Sequence, residues 1–132
     1  MSTLKVNRIE PRTGDSVEIV GLEAPAASIK AWVNFQGTGV DGTGNVAIRG
    51  EMNVSSITDN GISDYTVNFK TAMVDANYAI SGTAGVNTTS LKAVCQPFTL
   101  QAPTTAAVRI QCPQSDGGMG SDARIVFVSI IR

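Results

Sequence analysis

The spacing of apolar residues is the strongest constraint on how this sequence can fold. No stretch places apolar residues at i, i+3, i+4 and i+7 over three turns, which is the pattern of a surface helix. Short segments instead alternate apolar and polar residues, and turn residues recur about every 8–12 positions. Short strands with frequent turns are typical of antiparallel sandwiches. The sequence therefore predicts an all-β fold, with a jelly-roll-like antiparallel β-sandwich as its head.

Single segments indicate which side chains enter the core. In residues 31–35, Val33 and Phe35 share one face of the predicted strand. Trp32 and Asn34 share the opposite face. We therefore expect one face of this strand to be buried and the other to lie outward.

Residues 64–69 also alternate, and they follow a hairpin signal. Asn60-Gly61 accepts positive φ at both central positions of a type I′ turn. We therefore expect Ile57 and its neighbours to pair antiparallel with Tyr65 and its neighbours.

The most apolar segment lies near the end of the sequence. Residues 123–131 are apolar on both faces, so this strand is predicted to run through the middle of a sheet or into a subunit interface. Further strands are predicted at residues 45–49, 52–57, 78–83, 92–95, 97–100 and 107–110.

The first 25 residues differ from the rest. Leu4, Val6 and Ile9 give a short alternating segment that stops at Pro11, and a second short strand is predicted at residues 17–20. Two small strands are marginal in water without a core, so they should pack on the main domain, a sister chain or another protein. The chain thus divides into an N-terminal attachment segment, a linker and a sandwich head, at residues 1–25, 26–30 and 31–132.

Charge and histidine content exclude several classes of function. The 132 residues include no histidine, only 16% are charged, and the net charge is -1. Without histidine there is no Ser-His-Asp triad and no histidine metal ligand. A charge near zero does not attract nucleic-acid phosphates. We also expect no membrane insertion and no secretory signal, because no apolar run approaches the roughly 18 residues of a membrane helix and the opening residues lack an apolar region.

The two cysteines leave alternatives open. Sixteen residues separate Cys95 from Cys112, which fits neither a CxxC redox pair nor a zinc knuckle. Both fall in or beside predicted strands, where free cysteine acts as a small hydrophobe. Because cytosolic thiols stay reduced, we favour two free buried thiols, with a disulfide as the next alternative and catalysis last.

Carboxylates are the candidates for catalysis and metal binding. Asp59 and Asp64 flank the Asn-Gly turn, while Asp116 and Asp122 flank a glycine-rich stretch. A glycosidase needs two carboxylates about 5–10 Å apart in a cleft, but aspartates in turns usually bond their own backbone. Asp41, or Asp116 with Asp122, could bind calcium, but neither stretch has the carboxylate spacing of an EF-hand loop. The sequence therefore predicts no enzyme, no metal and no cofactor.

A glycine-rich stretch and two aromatic residues are further candidates. Residues 36–44 lack the Gly-Lys-Ser/Thr that ends a phosphate-binding loop, so we predict a hairpin turn or surface loop there. Trp32 and Tyr65 would stack on sugar rings if exposed. Aromatic residues in strands more often lie in the core or at an interface, which is the interpretation we favour.

Three blocks within the first 80 residues carry a resemblance to a known family. They are residues 2–9 with a turn near Gly14, residues 31–39 (AWVNFQGTG), and residues 53–78, which contain NVSSITDNG and DYTVNF. They resemble recurring blocks of phage tail-fibre and virion-appendage proteins, especially from marine and cyanobacterial phages. The resemblance weakens from about Ser81 onward.

The resemblance implies a structural virion protein, commonly a homotrimer, whose N-terminal part docks on other proteins of the tail, baseplate or capsid. Leu4, Val6 and Ile9 are then the predicted docking or trimerisation residues. Exposed loops of the head are predicted to bind the host surface, with a glycan as candidate ligand. Their predicted binding residues are Thr38, Asp41, Thr43, Asn87, Thr88, Asp116 and Met119. The family supplies no catalytic residue and no cofactor.

Two other functions remain open at this point. A capsid decoration or cement protein, or a head fibre, needs the same docking strand and exposed β domain. A small glycan depolymerase would need a carboxylate pair in a cleft. In each virion role we expect assembly in the host cytoplasm and release by lysis.

Overall fold

A computed structural model describes residues 28–40, 45–85, 94–113 and 121–132 of the chain. Within these ranges the chain forms strands and no helix, which confirms the all-β prediction. The strands are β1 Ile29–Val40, β2 Val46–Met52, β3 Val54–Gly61, β4 Asp64–Phe69, β5 Ala79–Gly85, β6 Gln96–Pro97, β7 Ala107–Gln111 and β8 Ile125–Ile131. The predicted attachment segment lies outside the described residues, and β1 begins within the predicted linker.

The strands form two four-stranded sheets, and every pairing is antiparallel. The first sheet has the order β2-β1-β8-β5, and the second sheet has the order β3-β4-β7-β6. The apolar last strand, β8, lies between β1 and β5, as predicted for a strand inside a sheet. The sandwich prediction is confirmed, whereas this strand order does not confirm a jelly roll.

The hydrophobic core lies between the two sheets. The buried faces contribute Ala31, Val33, Phe35, Val126, Val128 and Ile130 from the first sheet, and Tyr65, Val67, Phe69, Val108 and Ile110 from the second. The Phe35 and Tyr65 rings meet edge to face with centroids 5.1 Å apart, so they join the two sheets directly. Such a pair contributes about 0.5–1.5 kcal/mol beyond its burial. The faces predicted from alternation in β1 and β4 are therefore confirmed.

One residue, Asn53, carries the chain from the first sheet to the second. Its φ of 57° is left-handed, a conformation that asparagine tolerates better than most residues. Its Nδ2 donates to the Lys30 carbonyl at 3.3 Å and to the Thr71 carbonyl at 3.1 Å, and its Oδ1 accepts from the Thr71 N–H at 2.7 Å. The single strand predicted over residues 52–57 is therefore broken at this corner.

The β3–β4 hairpin forms as predicted, but its turn lies two residues later than predicted. The turn residues are Ile62 and Ser63, and positive φ falls at Ser63 (58°) and Gly61 (135°). Asn60 stays in the strand because its Nδ2 donates to Thr66 Oγ1 at 2.8 Å across the ladder. The prediction of a type I′ turn centred on Asn60-Gly61 was wrong.

The strand predicted at residues 97–100 is shorter in the structure. Only Gln96 and Pro97 pair with β7, at the edge of the second sheet. Proline lacks an N–H for a second neighbour, so an edge position suits it. Phe98 still donates its N–H to the Arg109 carbonyl at 2.9 Å, and the chain then enters a turn.

Candidate functional site

Most of the predicted site residues lie outside the described ranges. These are Leu4, Val6, Ile9, Asp41, Thr43, Asn87, Thr88, Asp116 and Met119. Thr38 is described, and it lies near the end of β1 rather than in a loop. Its side chain is exposed, and its Oγ1 accepts a hydrogen bond from Gln36 Nε2 at 3.3 Å.

The described residues that flank the predicted loops come together at one end of the first sheet. The chain leaves β1 at Val40, which pairs with Val46 at the start of β2. It leaves β5 at Gly85, which pairs with Ile125 at the start of β8. Because β1 and β5 both run antiparallel to β8, with Phe35 opposite Val126 and Gly85 opposite Ile125, both strands leave the sheet on the side where β8 begins. We call this side of the sandwich the loop end.

The second sheet reaches the loop end at the β3–β4 turn. Asp122, just before β8, accepts at Oδ1 from the Ser63 N–H at 2.7 Å and from Tyr65 Oη at 3.1 Å. Ser63 Oγ donates to the Ser121 carbonyl at 2.8 Å. The segment that enters β8 is therefore held against the turn of the opposite sheet.

Tyr65 makes this contact as a neutral hydroxyl. Burial raises the pKa of Tyr65 well above its usual range, and the neighbouring Asp122 carboxylate raises it further. The hydroxyl therefore keeps its proton and donates it to the carboxylate. A Cβ placed on Gly37 would lie 2.2 Å from Tyr65 Oη, so β1 approaches this cluster closely only because residue 37 is glycine.

A disulfide joins Cys95 to Cys112 at the loop end. The expectation of two free thiols was therefore wrong. Gln96 of β6 pairs with Gln111 of β7, so the next positions along the two antiparallel segments oppose each other with Cα atoms 4.2 Å apart. Close, non-hydrogen-bonded antiparallel positions bring Cα atoms to about 4.5 Å. The Cys95 N–H also donates to the Gly82 carbonyl at 3.0 Å, which ties the disulfide to the first sheet.

Arg49 links β2 and β1 to the segment just before β8, near the loop end. Its Nη1 donates to the Phe35 carbonyl at 3.1 Å. Its Nη2 donates to Gln36 Oε1 at 3.0 Å and to the Arg124 carbonyl at 2.9 Å. The guanidinium of this β2 residue thus holds β1 next to the start of β8.

The aspartates weighed as a catalytic pair make separate structural contacts. Asp64 forms a two-bond ion pair with Arg109, at 2.8 Å for Nε–Oδ1 and 2.8 Å for Nη2–Oδ2. Hydrogen bonds from this arginine hold the pKa of Asp64 below its ordinary value. The Arg109 guanidinium also lies 4.1 Å from the centre of the Phe98 ring. Asp59 Oδ1 accepts from the Gly61 N–H at 2.9 Å, which is the turn role expected for it.

Ser28, the first described residue, lies at the opposite end of the sandwich, which we call the entry end. Ser28 and Arg132 exchange two backbone hydrogen bonds there, at 2.7 and 2.9 Å. The seven residues of β8 run from the loop end at Ile125 to the entry end at Ile131, a length of roughly 23 Å at about 3.3 Å per residue. The described domain therefore has two distinct ends, one where the N-terminal segment enters and one where the predicted binding segments leave the strands.

Sequence reasoning missed the contacts that hold the loop end together. The Tyr65–Asp122 bond spans 57 positions, the Asp64–Arg109 pair 45, and the bond from Arg49 to the Arg124 carbonyl 75. No local pattern reports pairs this distant. The cysteines carried the one available signal, because their spacing allowed a disulfide between neighbouring strands.

No protein-family model, no curated protein and no solved structure matches the chain. In the ranges that the structure describes, no helix has the length and apolar character to cross a membrane.

Proposed function

We propose that the chain is a structural phage virion protein, a small tail-fibre or appendage subunit that forms a homotrimer. Residues 1–25 attach it to other virion proteins, and the loop end binds the host surface. The observation that carries this proposal is the separation of the two ends by roughly 23 Å along β8. A protein attached by its entry end presents its loop end outward.

The construction of the loop end supports a binding role. Binding residues are often found on loops that a rigid scaffold positions. The Cys95–Cys112 disulfide and the Tyr65–Asp122 bond hold the described residues beside segments 86–93 and 114–120. These segments are rich in small polar residues, which suit hydrogen bonding to glycan hydroxyls.

The docking half of the proposal is tested by removing residues 1–20. Without them, the chain should no longer enter particles of the source phage, while its thermal unfolding stays cooperative. A chain in which residues 1–20 are scrambled at constant composition is the matched control, and it should fail in the same way. Normal incorporation of either variant would refute docking through this segment.

The binding half is tested with purified chain on host cells. Asn87→Ala combined with Thr88→Ala should reduce the bound fraction at least fivefold. Ser55→Ala combined with Thr58→Ala, on the exposed face of β3, should leave it unchanged. Equal binding by both double variants would refute the loop end as the contact surface. New reducing ends from host polysaccharide would favour the depolymerase alternative instead.

The position on the particle separates an appendage from the capsid alternative. Both roles use an attached entry end, so the geometry favours neither by itself. Immunogold labelling of intact particles should place the protein on the tail or its fibres. Label spread over the capsid shell would show a decoration or cement protein instead.

A further inference from the structure

The outward faces of the two sheets differ sharply in chemistry. On the second sheet, polar side chains bond one another: Asn68 Nδ2 donates to Ser56 Oγ at 3.1 Å and to Thr58 Oγ1 at 3.0 Å. On the first sheet, the aromatic side chains of Trp32 and Phe127 are 39% and 48% exposed. We call the outward face of the first sheet the platform. The platform therefore offers two aromatic rings to a ligand.

The two aromatic residues are neighbours on adjacent strands. Phe127 of β8 pairs with Asn34 of β1, two positions beyond Trp32, so the two residues are diagonal neighbours about 7–8 Å apart. A Cβ placed on Gly50 would lie 3.3 Å from the Trp32 ring, so the indole rests against the sheet where residue 50 is glycine. Two rings along one surface can stack on successive rings of a chain-like ligand.

Accessible hydroxyl groups border the aromatic residues. Ser129 of β8 pairs with Trp32. On β5, Thr83 pairs with Phe127 and Ser81 pairs with Ser129. Thr83 and Ser81 are exposed, and Ser129 is half-buried. Hydroxyl groups both donate and accept hydrogen bonds, and aromatic surfaces with a few such polar groups are the composition of a specific small-ligand site.

The platform also carries a positive charge that no described carboxylate neutralises. The exposed Arg49 guanidinium lies on it and donates to three uncharged acceptors, which are the Phe35 carbonyl, Gln36 Oε1 and the Arg124 carbonyl. The ion pairs among the described residues do not include Arg49. The strands β1, β5 and β8 contain no Asp or Glu. An arginine held in position with its charge unpaired suits a ligand carboxylate.

The size of the platform fits an oligosaccharide better than a protein. Four strands at about 4.8 Å spacing and the seven residues of β8 at about 3.3 Å span roughly 19 by 23 Å, or about 440 Å². A small specific protein interface buries about 600 Å² on each partner. A sugar chain a few rings long needs less surface than that.

Single-stranded nucleic acids also combine ring stacking with negative charge. Proteins that bind them present a stripe of cations, because every nucleotide carries a phosphate. The platform instead combines the Arg49 guanidinium with a border of hydroxyl groups, and the chain has a net charge of -1. Sugar rings carry hydroxyls along their edges, so a glycan matches this border better than a nucleic acid does.

We propose that the platform binds an acidic glycan. Its sugar rings stack on Trp32 and Phe127, its hydroxyls bond the serine and threonine side chains of β5 and β8, and one of its carboxylates meets Arg49. This site is separate from the loop end, so the proposal goes beyond the proposed function and does not depend on it. Because a sheet face encloses less of a ligand than a pocket does, affinity should rise with the length of the glycan.

The full chain supplies its own probe, because Trp32 is its single tryptophan. Tryptophan emission is followed while the chain is titrated with a hexamer of galacturonic acid. A neutral glucose hexamer is titrated in parallel. The acidic hexamer should change the emission and bind at least fivefold more tightly than the neutral one, and high salt should remove this difference.

Two pairs of variants test the contacts. Phe127→Thr keeps the probe and should weaken binding of the acidic hexamer at least tenfold. Leu100→Thr is its matched control and should leave binding unchanged, because Leu100 is 86% exposed but lies outside the sheets. Arg49→Gln should remove the preference for the acidic hexamer. Lys70→Gln makes the same change of charge just after β4 and should keep the preference.

Thermal unfolding of each variant should stay cooperative. Since Arg49 also holds β1 next to the start of β8, Phe127→Thr carries the test if Arg49→Gln does not fold. Unchanged wild-type emission with the acidic hexamer would overturn the proposal, as would equal binding by Phe127→Thr and Leu100→Thr. Equal binding of the two hexamers would also overturn it, and so would tighter binding of a thymidine hexanucleotide.

The loop end is tested separately with the Asn87→Ala/Thr88→Ala variant. This variant should bind the acidic hexamer as the wild type does, and a tenfold loss would place the glycan site at the loop end and overturn the proposal. A chain that binds the hexamer on the platform but is absent from virions would refute only the proposed function.

Discussion

Reduction of the Cys95–Cys112 disulfide should destabilise the domain by about 3 kcal/mol. The two cysteines are 17 positions apart. Closing a loop of this length removes about 10.5 cal/mol/K of entropy from the unfolded chain, which is about 3 kcal/mol at 25 °C. The effect should be felt mainly at the loop end, where the disulfide joins β6 and β7 beside Gly82 of the first sheet.

The assay is urea unfolding followed by circular dichroism, with and without a phosphine reductant. For a urea dependence of about 1–3 kcal/mol/M, the midpoint should fall by about 1–3 M on reduction. A Cys95→Ala/Cys112→Ala variant is the control, because it should unfold near the reduced midpoint and not respond to the reductant. A wild-type midpoint that moves by less than about 0.3 M, or two titratable thiols in the untreated unfolded chain, would refute the reasoning.

Three further perturbations test the packing and the ionised groups. Gly37→Ala places a Cβ 2.2 Å from Tyr65 Oη and should destabilise by about 1–3 kcal/mol in urea unfolding, whereas Gly85→Ala meets no atom within 4 Å and should be near neutral. Arg109 lowers the pKa of Asp64, so this ion pair stabilises the folded state above about pH 4, and the stabilisation is lost as the pH falls. Asp64→Asn should therefore flatten the acid limb of the curve of folding stability against pH. Burial raises the pKa of Tyr78 to about 12, so stability should fall as pH rises from about 10 to about 12, and less steeply in Tyr78→Phe. If the acid limb of the stability curve is unchanged in Asp64→Asn, the stabilising ion pair with Arg109 is contradicted. If the alkaline limb is unchanged in Tyr78→Phe, the burial of the Tyr78 hydroxyl is contradicted. Equal stability of Gly37→Ala and Gly85→Ala would contradict the close approach of Gly37 to Tyr65.

Local sequence patterns predicted the strands because they report which face of a segment is buried. Val33 and Phe35 alternate with Trp32 and Asn34, and this alternation is what the sandwich requires of β1. The two-sided apolar pattern of residues 123–131 likewise predicted a strand in the middle of a sheet or at a subunit interface, and β8 lies inside the first sheet. Alternation cannot say whether an outward aromatic residue is covered by a neighbour, so it did not predict the 39% exposure of Trp32.

The turns and the cross-links were harder to predict because tertiary contacts decide them. The β3–β4 turn lies at Ile62 and Ser63 rather than at the predicted Asn60-Gly61, because Asp122, nearly sixty positions away, accepts a hydrogen bond from the buried Ser63. The cysteines paired because the short edge strand β6 brings Cys95 opposite Cys112. Local preference could not anticipate either outcome, since both depend on how the second sheet closes against the first.

The orientation of the domain on the particle is the central claim, and an electron cryomicroscopy map of the intact virion tests it most directly. The map should show sandwich domains with the Ser28–Arg132 end against a tail or appendage protein and the Cys95–Cys112 end pointing away from the particle. Sandwich domains seated by their loop ends, or particles that lack this domain altogether, would contradict the account.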